Sequence, residues 1–252
     1  VDSLDLKTVR TSLEGAVLQV RLARPEVGNT LDERMLDDLL AVLAHLRCRT
    51  DVRVLVLSGE GDSFCVGGDR GELLRLAAED PGGPAVRRLG DKARLVCEGL
   101  AAADPVTIAR VHGQVIGAGL ALAIFCDLRV GDIESRFRMP ELALGLPTAW
   151  GGAMARLIGE VGAARIRELV LTGDAFDAST AHRLSILHRV APASELDDVV
   201  RGWIKPVVRR PVAALHASKT LMNAYSRGDR FGDLSILDGH FLSAFLGAGS
   251  AR

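Results

Sequence analysis

The sequence predicts an α/β core followed by a helical C-terminal tail. Apolar strands alternate with helical segments through the first half, and helices dominate the second, the order expected of a layered α/β core with an appended helical region. Two glycine-rich turns, Ser63-Phe64-Cys65-Val66-Gly67-Gly68-Asp69 and Val111-His112-Gly113-Gln114-Val115-Ile116-Gly117-Ala118-Gly119, each follow a buried apolar strand and lead into a helical pattern. Glycine at such turns lets the backbone approach a ligand closely and take angles that a β-carbon forbids. Two of them can aim two main-chain N–H groups at one oxygen, which is how an oxyanion hole is built.

Residues 3–11 and 16–22 alternate apolar and polar, with Leu18, Val20 and Leu22 on one face, and Glu14-Gly15 between them makes a β-hairpin. Asn29-Thr30 then offers an N-cap to a helix through Met35, Leu36, Leu39, Leu40 and Leu43, apolar at helical spacing. The run Val54-Leu55-Val56-Leu57 lies in a buried strand over 53–58, ended by Ser58-Gly59-Glu60-Gly61-Asp62. Pro81-Gly82-Gly83-Pro84 marks 78–84 as a loop. A helix over 86–103 leads into a strand over 106–111, followed by a short apolar helix over 119–126 and strands over 127–130 and 136–139. Helices then follow at 152–158, 163–171, 177–185, 193–208, 212–226 and 231–245. The last two carry apolar stripes (Val212, Leu215, Met222; Leu237, Phe241, Phe245) for which the chain offers no evident core, so a partner subunit is expected to supply one.

A length of 252 residues suffices for a full core, and 48% hydrophobic with 25% charged residues is ordinary for a globular chain. Lys+Arg 31 against Asp+Glu 32 leaves no net charge to draw nucleic acid or an anionic membrane. No apolar run has the length of a membrane span, and Val1-Asp2-Ser3-Leu4-Asp5 has none of the features of a signal peptide. Cys48, Cys65, Cys97 and Cys126 stand far apart with no metal-ligand spacing, and read as reduced, mostly buried thiols of a cytoplasmic protein. No metal site is expected.

Five strings in order give a family resemblance: Leu22 to Leu31 ("LARP…NTL"), Ser63 to Asp69 ("SFCVGGD"), Val111 to Val130 ("VHGQVIGAGLALAIFCDLRV"), Phe137 to Gly152 ("FRMPELALGLPTAWGG") and Leu171 to Val190 ("LTGDAFDASTAHRLSILHRV"). Together they resemble the crotonase (enoyl-CoA hydratase/isomerase) superfamily from the hairpin nearly to the end of the chain. The resemblance implies a spiral of ββα repeats, with residues 1–191 as the catalytic core and 192–252 as a helical region for trimer or hexamer formation. It implies an acyl thioester of coenzyme A, or of an acyl-carrier protein, as substrate, with no metal or redox cofactor.

Matched to the family's pattern, the oxyanion-hole donors are the N–H groups of Gly68 and Ala118, the latter at the opening of the 119–126 helix. Ala118 stands where the family usually has glycine, and still supplies its N–H. Two-carboxylate hydratases place one glutamate two residues after the second turn and another in the "PE" segment. Here the first position is Ala121 and the second is Glu141, directly after Met139-Pro140. A third acidic position, used by dienoyl-CoA isomerases, falls at Ala149.

One carboxylate beside an oxyanion hole is enough to shuttle a proton from C2 to C4 of a 3-enoyl thioester. Syn addition of water normally uses two. The resemblance therefore points to an enoyl-CoA isomerase or a one-carboxylate hydratase. Decarboxylation of a malonyl-type thioester and non-catalytic thioester binding are the alternatives.

Val66, Gly117 and Trp150 are expected around the substrate. Asp69 is expected there too, although its foremost role is to cap the following helix near Glu72. Arg24 and Lys219 are candidate contacts for the coenzyme A side of the ligand. His112 reads as a structural imidazole, and His240 as a packing residue of the last helix. Ser185 stands where relatives turn on glycine.

Overall fold

The structure, a computed structural model, describes residues 4–47, 49–80, 83–228 and 238–249. Cys48, Pro81, Gly82 and Leu237 lie outside the described residues, as do the side chains of Phe241 and Phe245.

Strands β1 (Val9–Glu14) and β2 (Val17–Leu22) form the hairpin, antiparallel, with Val9 opposite Leu22 and Glu14 opposite Val17. Gly15 turns it with φ 59°. β3 (Val54–Gly59), β4 (Val106–Val111), β5 (Gln114–Ile116), β6 (Leu128–Asp132), β7 (Arg136–Arg138), β8 (Phe176–Asp177) and β9 (Arg189–Ala191) follow. The large sheet runs β1-β2-β3-β4-β6-β9, parallel from β2 onward, and a small sheet runs β5-β7-β8. Isolated bridges extend the small sheet's line. Cys65 pairs with Val115, and Leu31 with Gly68. Each spiral turn thus gives one extended segment to the large sheet, one to the small sheet or its extension, and then a helix. The short strands β5, β8 and β9 have too few residues for a period to register in sequence.

The helices are α1 (Glu33–Leu46), α2 (Arg70–Glu79), α3 (Pro84–Ala102), α4 (Ala118–Ile124), α5 (Ala153–Val161), α6 (Ala163–Thr172), α7 (Ala178–Arg183), α8 (Leu196–Val207), α9 (Val212–Gly228) and α10 (Asp238–Gly249). Leu18, Val20, Leu22, Leu55 and Leu57 turn inward onto a core shared with α1, α3 and α4. Val54, Val56, Val106 and Ile108 face the other way, where Leu196 and Val200 of α8 cover them. A strand buried on both faces needs apolar residues at every position, which is why β3 reads as an unbroken apolar run. Among the described residues no helix is long and apolar enough to cross a membrane.

Several expectations change. Asn29-Thr30 does not cap α1; Asp32 does, accepting from Met35 N at 2.8 Å. Asn29 is instead fully buried at φ 57°. Its oxygen accepts from Arg24 N, and its Nδ2 donates to Glu60 O and Ser63 O. The expected loop at 78–84 is shorter, because α2 continues through Glu79 and α3 begins at Pro84. Ser185 takes the left-handed φ of 61° that glycine would otherwise serve. The last helix has a core within its own chain. α10 packs on α3, with Gly90 and Gly239 so close that a β-carbon on Gly90 would come 2.6 Å from Gly239 Cα. α9 is different: Leu215 packs toward α8, whereas Val212, Leu221, Met222 and Tyr225 remain exposed.

Candidate active site

Backbone pairing brings the two glycine turns side by side. Phe64 N donates to His112 O, Cys65 N to Gln114 O, and Ile116 N to Cys65 O, so residues 64–66 run alongside β5 as an added strand. Gly119 makes this approach possible, since a β-carbon there would stand 2.3 Å from Cys65 O. Two positions beyond each paired segment lie Gly68 and Ala118. Among the described residues, neither N–H donates to any acceptor, although Leu31 N bonds Gly67 O and Asp69 N bonds Leu31 O on either side of Gly68.

The parallel pairing of β5 with β7 sets the third component. Ile116 lies opposite Arg138, and Gly117 N donates to Arg138 O at 3.0 Å. Three residues on, Glu141 opens a 3-10 turn over Glu141–Leu144 and reaches back toward Gly117. Gly117 has φ 49°, and a β-carbon on it would come within 2.7 Å of Glu141 Oε1. Gly68, Gly117, Ala118 and Glu141 all line one cleft of about 90 Å³, with Val66, Arg70, Leu73 and Trp150. Its remaining walls include Leu144, Leu146 and Pro147. Glu141 is the one carboxylate among these residues. Its Oε2 is shielded from solvent and has no hydrogen-bond partner among the described residues, and burial pushes its carboxyl above the usual carboxylate range.

A larger cavity of about 590 Å³ lies elsewhere, between the β1–β2 hairpin, β3 and α8, and is lined by Arg21, Arg110, Asp197 and Arg201. It holds neither glycine turn, and the Arg110–Asp197 ion pair there is already satisfied. Volume alone does not mark a catalytic site; the small cleft has the unpaired amides and a half-buried acid with one shielded oxygen.

Of the sequence-derived candidates, Gly68, Ala118, Glu141, Val66, Gly117 and Trp150 meet in the cleft. The indole of Trp150 lies over Gly68, close enough for a β-carbon there to fall 3.2 Å from Cζ3. Asp69 does not line the cleft. It caps α2 by accepting from Glu72 N at 3.0 Å. Arg24 sits behind it, 3.9 Å from Asp69 and ion-paired to Asp32 at 2.7 Å.

Lys219 is placed elsewhere altogether. It is 4% exposed, and its Nζ donates to Pro105 O and pairs with Asp127 at 2.7 Å, so it is a packing latch and not an exposed cation. Glu72 accepts from Glu33 N and ties α2 to α1. His112 Nε2 lies 2.8 Å from Gly61 O, and His240 is exposed on α10.

Arg70 is the cation lining the cleft, missed because a charge in the first turn of a helix looks like any solvated residue. Thr148 was missed as well, although it lies inside the Phe137 to Gly152 string. It borders an inner extension of the cleft together with Ala121, Glu141 and Trp150. Ala121 is buried there. The C-terminal helix braces this wall, since Asp238 accepts from Gly152 N at 2.9 Å. Cys65, Cys97 and Cys126 are free and buried in the core, where burial pushes the Cys65 and Cys126 thiols to about 12.

Comparison with known proteins identifies the family. The sequence profile of the family described as enoyl-CoA hydratase/isomerase matches residues 12–241. A short-chain-enoyl-CoA hydratase of Clostridium acetobutylicum is 28% identical over 221 residues, covering 87% of this chain and 82% of that one. A probable enoyl-CoA hydratase of Mycobacterium tuberculosis, EchA17, is 30% identical over 208 residues, covering 82% and 77%. Among solved structures, Pseudomonas aeruginosa AtuE superposes with a TM-score of 0.84 at 30% identity, covering 94% of this chain and 91% of that one. An enoyl-CoA hydratase from Bacillus halodurans reaches 0.88 over 95% of both chains at 22% identity, a likeness of fold.

Proposed function

The chain belongs to the enoyl-CoA hydratase/isomerase family, and from that premise we propose that its cleft holds an acyl-CoA enolate on the amides of Gly68 and Ala118 while Glu141 moves the proton. The observation that carries this reading is that, among the described residues, Glu141 is the one carboxylate lining the cleft, shielded and unpaired at Oε2 beside two amides without acceptors.

Removing a proton from C2 of a thioester, or adding a nucleophile at C3 of a 2-enoyl thioester, sends an electron pair to the carbonyl oxygen. Fixed N–H donors aimed at that oxygen stabilise the resulting enolate, and losing one typically costs ~3–4 kcal/mol. A carboxyl whose affinity for protons is raised by burial suits both tasks of the reaction, taking a proton from carbon and returning one near neutrality. With a 3-enoyl thioester, Glu141 takes the C2 proton, the enolate forms, and protonated Glu141 returns the proton at C4. With a 2-enoyl thioester the same pair of amides and the same carboxyl serve hydration, provided water is delivered to C3. The chemistry balances without a metal ion or redox cofactor.

Leu73, Leu144 and Leu146 offer apolar contact for the acyl chain, and Arg70, with Arg24 behind Asp69, offers positive charge for the phosphates of the carrier. Residues 1–191 form the catalytic core, and 192–252 supply contacts between subunits of a trimer or hexamer. The exposed apolar side chains of α9 support that assignment. The free thiols suit the reducing cytoplasm.

The test is incubation with 3-enoyl-CoA, crotonyl-CoA and methylmalonyl-CoA, each followed by mass spectrometry. Turnover of the first or second is expected, with kcat falling about 10²–10⁴-fold in Glu141→Gln. Turnover of methylmalonyl-CoA alone would replace this reading with decarboxylation. Activity that survives Glu141→Gln would remove Glu141 from the chemistry, and binding without any turnover would leave a thioester-binding subunit.

A further inference from the structure

Ala121 leaves the cleft without a second carboxylate, yet the mostly apolar wall around it, which includes Leu120, Met139, Ala153, Met154 and Leu157, also carries three residues with polar side-chain atoms. At the inner end of the cleft a small cavity of about 10 Å³ is bordered by Ala121, Gly117, Glu141, Thr148 and Trp150. Three of these residues each bring a polar atom that is shielded from solvent and has no hydrogen-bond partner among the described residues: Glu141 Oε2, Thr148 Oγ1 and Trp150 Nε1. Leaving a buried polar group unpaired is costly, so three beside one space call for a common partner.

The size and chemistry of the space select that partner. About 10–15 Å³ of such volume holds one water molecule, and a buried water needs two to four polar neighbours. An indole N–H only donates, an ionised carboxylate only accepts, and a threonine hydroxyl does both. A water molecule satisfies all three: its oxygen accepts from Trp150 Nε1, one hydrogen goes to Glu141 Oε2, and the other to Thr148 Oγ1. An alkyl chain would satisfy none of them. The cavity adjoins the main cleft, because Gly117, Glu141 and Trp150 line both.

We propose that Thr148 and Trp150 are positioning residues that hold a water molecule against Glu141 as the nucleophile of a hydration reaction. They thereby take the place of the carboxylate that Ala121 lacks. The inference rests on the reading of Glu141 as the acid/base group of an enolate enzyme, and it decides between that reading's two outcomes in favour of hydration. The step balances as follows. Glu141 takes one proton from the water while its oxygen bonds to C3 of a 2-enoyl thioester. The C2=C3 π pair passes through C2 to the carbonyl oxygen, where the Gly68 and Ala118 amides hold it. Protonated Glu141 then gives its proton to C2 as the enolate collapses, leaving a 3-hydroxyacyl thioester.

Two measurements test this on the full chain. A crystal structure that resolves ordered solvent is expected to place one water within hydrogen-bond reach of Glu141, Thr148 and Trp150. In steady-state hydration of crotonyl-CoA, Thr148→Val should lower kcat by about tenfold to a hundredfold with KM changed by less than roughly twofold, and Thr148→Ser should recover most of the loss. A merely structural role for Thr148 would not split kcat from KM or be rescued by serine.

The inference is overturned if the cavity is dry, if Thr148→Val hydrates at the wild-type rate, if serine is as impaired as valine, or if the wild type does not hydrate crotonyl-CoA. Glu141→Gln separates this inference from the reading beneath it. Hydration that survives that substitution defeats the single-base mechanism, whereas full hydration by Thr148→Val alongside an inactive Glu141→Gln defeats only the water site.

Discussion

On the proposed mechanism, Glu141 would couple activity to pH with a definite sign. Burial raises its proton affinity, and the base must be ionised to act, so kcat/KM should fall as pH drops through a pKa above the ~4.3 of a free glutamate. A rate profile across acidic pH measures the limb, and a limb at or below the free value would contradict the buried base. Stability moves the other way. The unfolded chain ionises this group at lower pH than the native protein, so its charge destabilises the fold as pH rises from the unfolded pKa through the native one. Glu141→Gln should therefore raise the Tm at neutral pH while lowering activity. At this scale the sequence picked out Gly68, Ala118 and Glu141, which the structure gathers around one cleft, because each lies in a string whose turn or proline constrains the backbone. It failed at Lys219, since a lone cation carries no spacing that tells an exposed charge from a buried latch.

Single elements depend on polar contacts that link them across the sequence. Lys219 fastens α9 to the strand ends through Pro105 O and Asp127, and Asp127 also accepts from Thr107 N and Oγ1. Lys219→Met should destabilise the protein by about 2 kcal/mol, between the values for exposed and fully buried pairs. A lower urea midpoint at unchanged m would register it, and an unchanged midpoint would refute the latch. The helices and the long strands were legible because apolar periodicity persists over several turns or pairs of residues. The α1 cap was misplaced because Asn29 and Asp32 are both good capping types, and only the clamp on Arg24, Glu60 and Ser63 reveals where Asn29 is used. The strands β5, β8 and β9 escaped because two or three residues acquire extended form from their neighbours.

For the whole molecule, the exposed side chains of Leu221, Met222 and Tyr225, which share one side of α9, make an apolar face of the kind that marks an interface. Light scattering on the purified protein should give three or six times the mass of one chain, and Met222→Glu with Tyr225→Glu should reduce it to the monomer. A wild-type monomer would refute the assembly. α10 takes no part in that prediction, because it lies against α3 of its own chain and braces the cleft wall through Asp238 and Gly152.

The sequence by itself determined the α/β class, the family, the two converging turns and the lone acid, because each is written in local backbone chemistry or in an ordered set of short strings. Only the tertiary structure decided that Thr148 and Trp150 stand with Glu141 around one small cavity, that Lys219 is buried, and that the last helix packs on its own chain. Those facts depend on side chains meeting across long separations in sequence or around a turn whose path no residue pattern encodes. Solvent exclusion there, and not residue type, decides whether a polar group is idle or waiting for a partner.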